Sequence, residues 1–211
     1  MSKWNTIIED KLKMIGRKVQ SSSKSDSSRL PPGQAITNKF QVLDLGTLPN
    51  VDVTNWTLRV FGLVKNELEL NFDDLKKYPQ VEKVLDFHCV THWSKFDVPW
   101  GGVRALDVMS NVGIMNNAKF VTLYSYDRYT TNISLEVLLD EDVIIAHQVF
   151  NQPLSQEHGG PVRLVVPKLY GWKSAKWLKA IEIHKEDRPG FWELRGYHND
   201  ANPWEEERYS E

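Results

Sequence analysis

Between Trp56 and Lys185 the sequence alternates strand-like apolar stretches with turns, and it never settles into a regular strand–helix–strand rhythm. That pattern narrows the choice of fold more than any other feature. "WTLRVFGLV" and "LELNF" read as strands joined at "KN", and "VEKVLDFHCV", "KFVTLYSYD", "VRLVVP" and "KWLKAIEIHK" read as further strands. Short helices are expected at "FDDLKKYP", stopped by Pro79, and at "ALDVMSNVGI", ending near Gly113. A third starts "SLEVLLDEDVIIAHQV", with Ser134 as its cap, before that segment returns to strand. Strands mixed with short helices, without βαβ regularity or an internal repeat, predict an α+β fold rich in mixed β-sheet.

The first twenty residues place Trp4, Ile7, Ile8, Leu12, Ile15 and Val19 close to one helical stripe, and "SSSKSDSSR" follows as a polar linker. Residues 1–28 are therefore expected to form an amphipathic helix and a serine-rich linker. Residues 29–211 are expected to form one domain, starting at "RLPPGQAITNKF". A chain of 211 residues that is 41% hydrophobic is long enough for one full core. Its formal net charge of -2 makes no electrostatic case for nucleic acid or an anionic membrane as partner. Any bound anion must be held by a local cluster of basic groups. No apolar run is long enough to span a bilayer, and charges interrupt every apolar stretch of the N-terminus, unlike a secretory signal. A cytoplasmic monomer is the expectation.

Cys89 is the single cysteine, in "DFHCVTHWS", so no disulfide can form within the chain. Three uses are open to it. It can be a small buried hydrophobe. It can be a nucleophile activated by a histidine; on a strand His88 points to the opposite face, which leaves His92, beyond the turn, as the better neighbour for the sulfur. A zinc ligand is disfavoured, because there is no CxxC and the histidines lack ligand spacing. A second cluster lies in "EHGGPVRLVVPKLYGWKSAKWLKAI". Gly159 and Gly160 allow close backbone approach, Arg163 starts a strand, Lys173 and Lys176 flank a Gly-Trp turn, and Ser174 adds a hydroxyl. Basic side chains, a hydroxyl and free amides converging on a turn suit a phosphate, although a hairpin with solvated lysines has the same pattern. The spacing is not that of a P-loop.

Together the two clusters resemble the molybdopterin-binding domain of the sulfite oxidase-type oxidoreductase family. "DFHCVTHWS…PWGGV" is similar to the family's cysteine segment and "HGGPVRLVVPKLYGWKSAKWLKAIEI" to its cofactor-anchoring segment. "RLPPGQ" and "GFWELRGYHNDANPW" look like its small stand-alone bacterial branch, related to the methionine-sulfoxide reductase catalytic subunit. The resemblance implies that Cys89 ligates a molybdenum atom also held by one molybdopterin. It implies pterin contacts at Asn38, Ser125, His158 and Arg163, and a phosphate grip at Ser174, Ala175 and Lys176. The implied activity is oxygen-atom transfer to or from a small S- or N-oxide-type substrate, with electrons exchanged with a separate partner, since no haem, flavin or iron–sulfur motif is present. His92, Lys95 and Tyr129 are candidates for the substrate mouth. Sulfite oxidases proper carry an arginine soon after the cysteine; "THWSKFD" has none, which disfavours sulfite. The alternative from another class is a non-catalytic protein that stores or delivers molybdopterin.

Overall fold

The computed structural model describes residues 26–210 together with Ser2, Lys3, Thr6 and Glu9. Apart from those four residues, the expected N-terminal helix and the serine stretch before Asp26 lie outside the described residues; Asp26–Arg29 makes one helical turn. Arg29 anchors the start of the domain, donating bonds of 2.9 and 2.6 Å to the Asp86 carboxylate and one of 2.6 Å to Asp97.

Eleven strands follow: β1 (Ala35–Ile36), β2 (Thr57–Gly62), β3 (Leu68–Asn71), β4 (Gln80–His88), β5 (Trp93–Arg104), β6 (Phe120–Ser125), β7 (Thr130–Ser134), β8 (Ile144–Val149), β9 (Gln152–Pro153), β10 (Arg163–Val165) and β11 (Leu178–His184). One sheet has the order β3-β2-β11-β6-β7, with β2 and β11 parallel. The other runs β1-β5-β8-β10, with β4 on β5 and β9 on β8. Every strand expected from the sequence is present, and the α+β class holds. The long β5 was not among the expected strands; proline and glycine, here Pro99, Gly101 and Gly102, more often punctuate a strand than extend it. Here the glycines serve close packing instead. The pairing with β8 shifts register between Gly101 and Gly102, and a Cβ on Gly102 would collide with the Ile145 carbonyl.

The short helices follow local capping. Phe72–Lys76 starts on a capping box, with the Asp74 amide donating to Asn71 Oδ1 at 2.9 Å and the Asn71 amide to Asp74 Oδ2 at 3.3 Å. Ser134 Oγ accepts from the Val137 amide at 3.2 Å and caps Leu135–Leu138. The helix expected to reach Gly113 stops at Met109. The amides of Lys65 and Asn66 take the Val112 carbonyl, and Lys65 also takes that of Gly113, so a neighbouring turn captures groups that a longer helix would have used.

Strand alternation divides the second sheet between two apolar clusters. Val103, Ile145 and Leu164 point into the main core with Leu58, Val60, Leu123 and Ile181 of the facing sheet. Ile144, Ala146 and Val165 point the other way, onto Phe87, Trp93 and Trp100. This second, aromatic face carries the candidate site.

Two buried histidines tie stability to pH. His88 pairs with Ser94 Oγ at 2.8 Å, and His147 with Gln80 Oε1 at 2.8 Å beside Lys76. Burial lowers both from 6.5 to about 4. The unfolded chain then binds protons that the folded chain refuses. Their contribution is complete above pH 6.5 and is lost as pH falls through about 4. Urea midpoints at pH 7, 5.5 and 4.5 should fall steadily, and the fall should be smaller in His88→Gln; equal slopes in both proteins would remove His88 from the account.

Candidate functional site

β4 ends at His88, and Cys89 opens a tight turn closed by its own amide donating to the Trp93 carbonyl at 2.9 Å. The turn leads straight back into β5 and sets the sulfur against the aromatic face. Cys89 is 7% exposed and lines a cavity of about 260 Å³. Its thiol pairs with the Thr91 hydroxyl at 3.2 Å. The Cys–His pairing that the sequence left open is not formed: His92 has a left-handed backbone, φ 67°, and its Nδ1 donates to the Gly33 carbonyl at 2.8 Å, outside the cavity lining. Burial pushes the thiol up, against opposing pulls from Thr91 and from the charge of Arg208. A buried thiol without an imidazole partner is a poor nucleophile and a good soft ligand.

Another part of the lining is cationic. Arg163, only 3% exposed, donates to the carbonyls of His158 and Ser174, each at 2.9 Å, and its guanidinium lies 5.6 and 5.4 Å from the ring centroids of Phe87 and Trp100. Burial lowers it to about 10. Its hydrogen-bond partners among the described residues are neutral carbonyls, so an anion arriving in the cavity would complement a charge already desolvated.

Beside it runs the Ser174–Lys176 turn. Ser174 Oγ accepts from the Val166 amide at 2.9 Å and the Ala175 carbonyl from the Leu164 amide at 2.9 Å. Trp177, φ 47°, then reverses the chain, and its amide donates to the Gly159 carbonyl at 3.2 Å. Gly159 allows this contact, since a Cβ there would lie 3.0 Å from Lys176 Cα. Among the described residues neither the Ala175 nor the Lys176 amide finds a backbone acceptor. The Lys176 ammonium donates to the Glu157 carbonyl at 2.6 Å and stands 3.8 Å from Asp44; burial, helped by the charge of Arg163, lowers it to about 8.

Cys89, Ser125, Tyr129, His158, Arg163, Ser174 and Lys176 all line this one cavity. Ala175 is buried behind it. Asn38 and Lys95 are not among its lining; they pair with each other, Lys95 Nζ donating to the Asn38 carbonyl at 3.0 Å. Lys173 faces away from it into a buried ion pair with Glu193 at 2.6 Å. Sequence reasoning missed Phe40, which stacks on His158 at 4.9 Å, and the wall of Trp172, Trp192 and Tyr197. Trp192 and Tyr197 lie in "GFWELRGYHNDANPW", but nothing in "KFQVLDLG" signalled Phe40.

This donor set fits an anionic, hydrogen-bonding cofactor together with a soft metal. Ser125 Oγ is buried without a protein partner, among the described residues two adjacent amides find no backbone acceptor, and a desolvated guanidinium lines the same cavity as a thiol.

Fold and site together define a molybdopterin-binding oxidoreductase. Residues 45–192 match the family described as the oxidoreductase molybdopterin binding domain. The chain belongs to that sulfite oxidase-type family and is an enzyme. It is 44% identical over 185 residues to the uncharacterized oxidoreductase YuiH of Bacillus subtilis, covering 87% of this chain and 93% of that protein. It is 27% identical over 189 residues to the protein-methionine-sulfoxide reductase catalytic subunit MsrP of Campylobacter jejuni, covering 79% of this chain and 63%, less than two thirds, of that one. The sulfane dehydrogenase SoxCD of Paracoccus pantotrophus shares the fold, with a TM-score of 0.60 at 21% identity over 66% of this chain and 40% of that chain. Among the described residues no helix is long and apolar enough to cross a membrane.

Proposed function

We propose that the cavity holds a molybdopterin whose molybdenum is ligated by the Cys89 thiolate, and that the enzyme moves an oxygen atom to or from a small S- or N-oxide-type substrate. The observation that carries this reading is one soft thiol and one anion cradle lining a single cavity. When bound, the group supplies two-electron oxygen exchange, which needs no protein nucleophile. The chain does the rest. Cys89 gives up its proton to become a ligand. Ser125, His158 and Arg163 hold the pterin by hydrogen bonds, and the Ala175 and Lys176 amides with the Lys176 ammonium grip the phosphate. Trp172, Trp192 and Tyr197 exclude water and present an apolar wall to the substrate.

The arginine and lysine of the lining are both taken up by the cradle, which favours an uncharged sulfoxide or N-oxide over sulfite. The methionine-sulfoxide reductase among the relatives points to S-oxides as well. We assign residues 29–211 as the catalytic domain, acting as a monomer with a separate electron-transfer partner. Protein purified from a host that makes the cofactor should contain molybdenum and pterin in equal amounts; finding neither would sink the proposal. Ser125→Ala should weaken cofactor binding about two- to tenfold, the value of one hydrogen bond. The same change should leave the stability of cofactor-free protein within about 0.5 kcal/mol, because Ser125 Oγ has no partner in the protein to lose.

A further inference from the structure

The C-terminal tail delivers a buried cation to the cysteine turn. Arg208 is 5% exposed and lies 118 positions along the chain from Val90, yet one of its Nη groups donates to the Val90 carbonyl at 2.8 Å. The other donates to the Pro32 carbonyl at 3.3 Å, and the guanidinium stands 4.9 Å over the Tyr170 ring. Gln34 Nε2 clasps the adjacent Cys89 carbonyl at 2.9 Å. The tail holds the arginine in place through the Tyr197–Tyr209 bridge and through the His198 amide, which donates to the Arg208 carbonyl at 3.2 Å.

The charge of this group is poorly compensated by the protein. Its carboxylate partner is Glu206, 3.7 Å away on a side chain 51% exposed, and both Arg208 Nε and the Tyr170 hydroxyl are buried without partners. A desolvated cation held on neutral carbonyls is retained at a cost unless an anion stands beside it. The candidate for that anion is the Cys89 sulfur, once deprotonated, on the residue next to Val90. Arg208 does not line the cavity, so it acts through the turn and through its field, without touching substrate.

We propose that Arg208 is a positioning residue: the fixed counter-charge of the Cys89 thiolate, orienting the cysteine turn through the Val90 carbonyl and raising the reduction potential of the metal Cys89 holds. The inference rests on the reading of Cys89 as a ligand. A nearby positive charge favours the reduced, more negative centre, so its removal lowers the potential.

The test is an EPR-monitored redox titration of the molybdenum in the loaded enzyme, with metal content measured first. Arg208→Met should shift the reduction equilibrium at least tenfold toward the oxidised centre, about 59 mV for a one-electron step. Arg208→Lys, which keeps the charge, should remain within about threefold of wild type, under half a decade on that scale. Glu206→Gln, at a half-exposed position that leaves the core untouched, should shift it the opposite way, and keeps the test decisive if Arg208→Met does not load. A wild-type protein without molybdenum overturns the ligand reading and this inference with it. A loaded wild type whose potential neither Arg208→Met nor Glu206→Gln moves overturns this inference alone.

Discussion

Cys89→Ser should leave a folded protein that still binds molybdopterin but turns over at least about a hundredfold more slowly, the upper end of what losing a supporting partner of a metal site costs. The fold should tolerate the change because it is nearly isosteric and because a serine hydroxyl can keep the 3.2 Å contact with Thr91. Cofactor retention should survive because the grip lies on other residues, Arg163 and the Ser174–Lys176 turn. What is lost is the soft anionic ligand: a serine hydroxyl is harder and far less acidic than a thiol. The experiment compares pterin content, the EPR signal of the metal and dye-linked turnover in wild type and variant. A storage or delivery protein would show equal pterin content and an unchanged metal spectrum. Turnover within twofold of wild type would remove Cys89 from the chemistry.

Lys173→Met should be the most destabilising single change at this end of the molecule, by about 3–5 kcal/mol in urea denaturation. Lys173 is fully buried and makes a 2.6 Å ion pair with Glu193, whose side chain is 2% exposed. It also donates to the Asn132 carbonyl at 2.8 Å and to Asn132 Oδ1 at 3.0 Å. Burial lowers its affinity for a proton, and the charge of Glu193 acts the other way. Methionine fills the same length but strands the carboxylate in the interior. That carboxylate also accepts from Thr131 at 2.8 Å, from Trp172 Nε1 at 2.9 Å and from the Gly190 amide at 3.1 Å, so the damage reaches the cavity wall. The double variant Lys173→Met with Glu193→Leu should recover only part of the loss, because those three donors then lack an acceptor. A single-variant loss below about 1 kcal/mol would show that the pair contributes little net stability.

These residues mark how far the sequence was legible. Strand periodicity placed β2, β3, β4, β6, β8, β10 and β11, because alternation is a local property of a half-buried strand. Capping at Asn71 and Ser134 is equally local, though the sequence reading recognised only Ser134. The strand β5 was hidden because Pro99, Gly101 and Gly102 look the same whether they break a strand or let a neighbouring strand approach closely. Lys173 and Lys176 shared one basic turn on paper. The fold sends Lys173 into the core to Glu193 and leaves Lys176 beside the cavity.

The candidate site divides in the same way. Two short segments, around Cys89 and from His158 to Lys176, were visible as chemistry because their residue types and order carry it. Their partners were not. Thr91, rather than His92, faces the sulfur because a left-handed turn at His92 aims that ring at Gly33. Arg208 reaches Val90 only because the tail folds back over the cysteine turn. By itself the sequence determined the class of fold, the family and the two segments that supply the cavity's chemistry. The tertiary structure alone decided which side chains face the cavity and which cations are buried on neutral carbonyls. Those depend on turn conformation and long-range packing, which no local pattern of residues encodes.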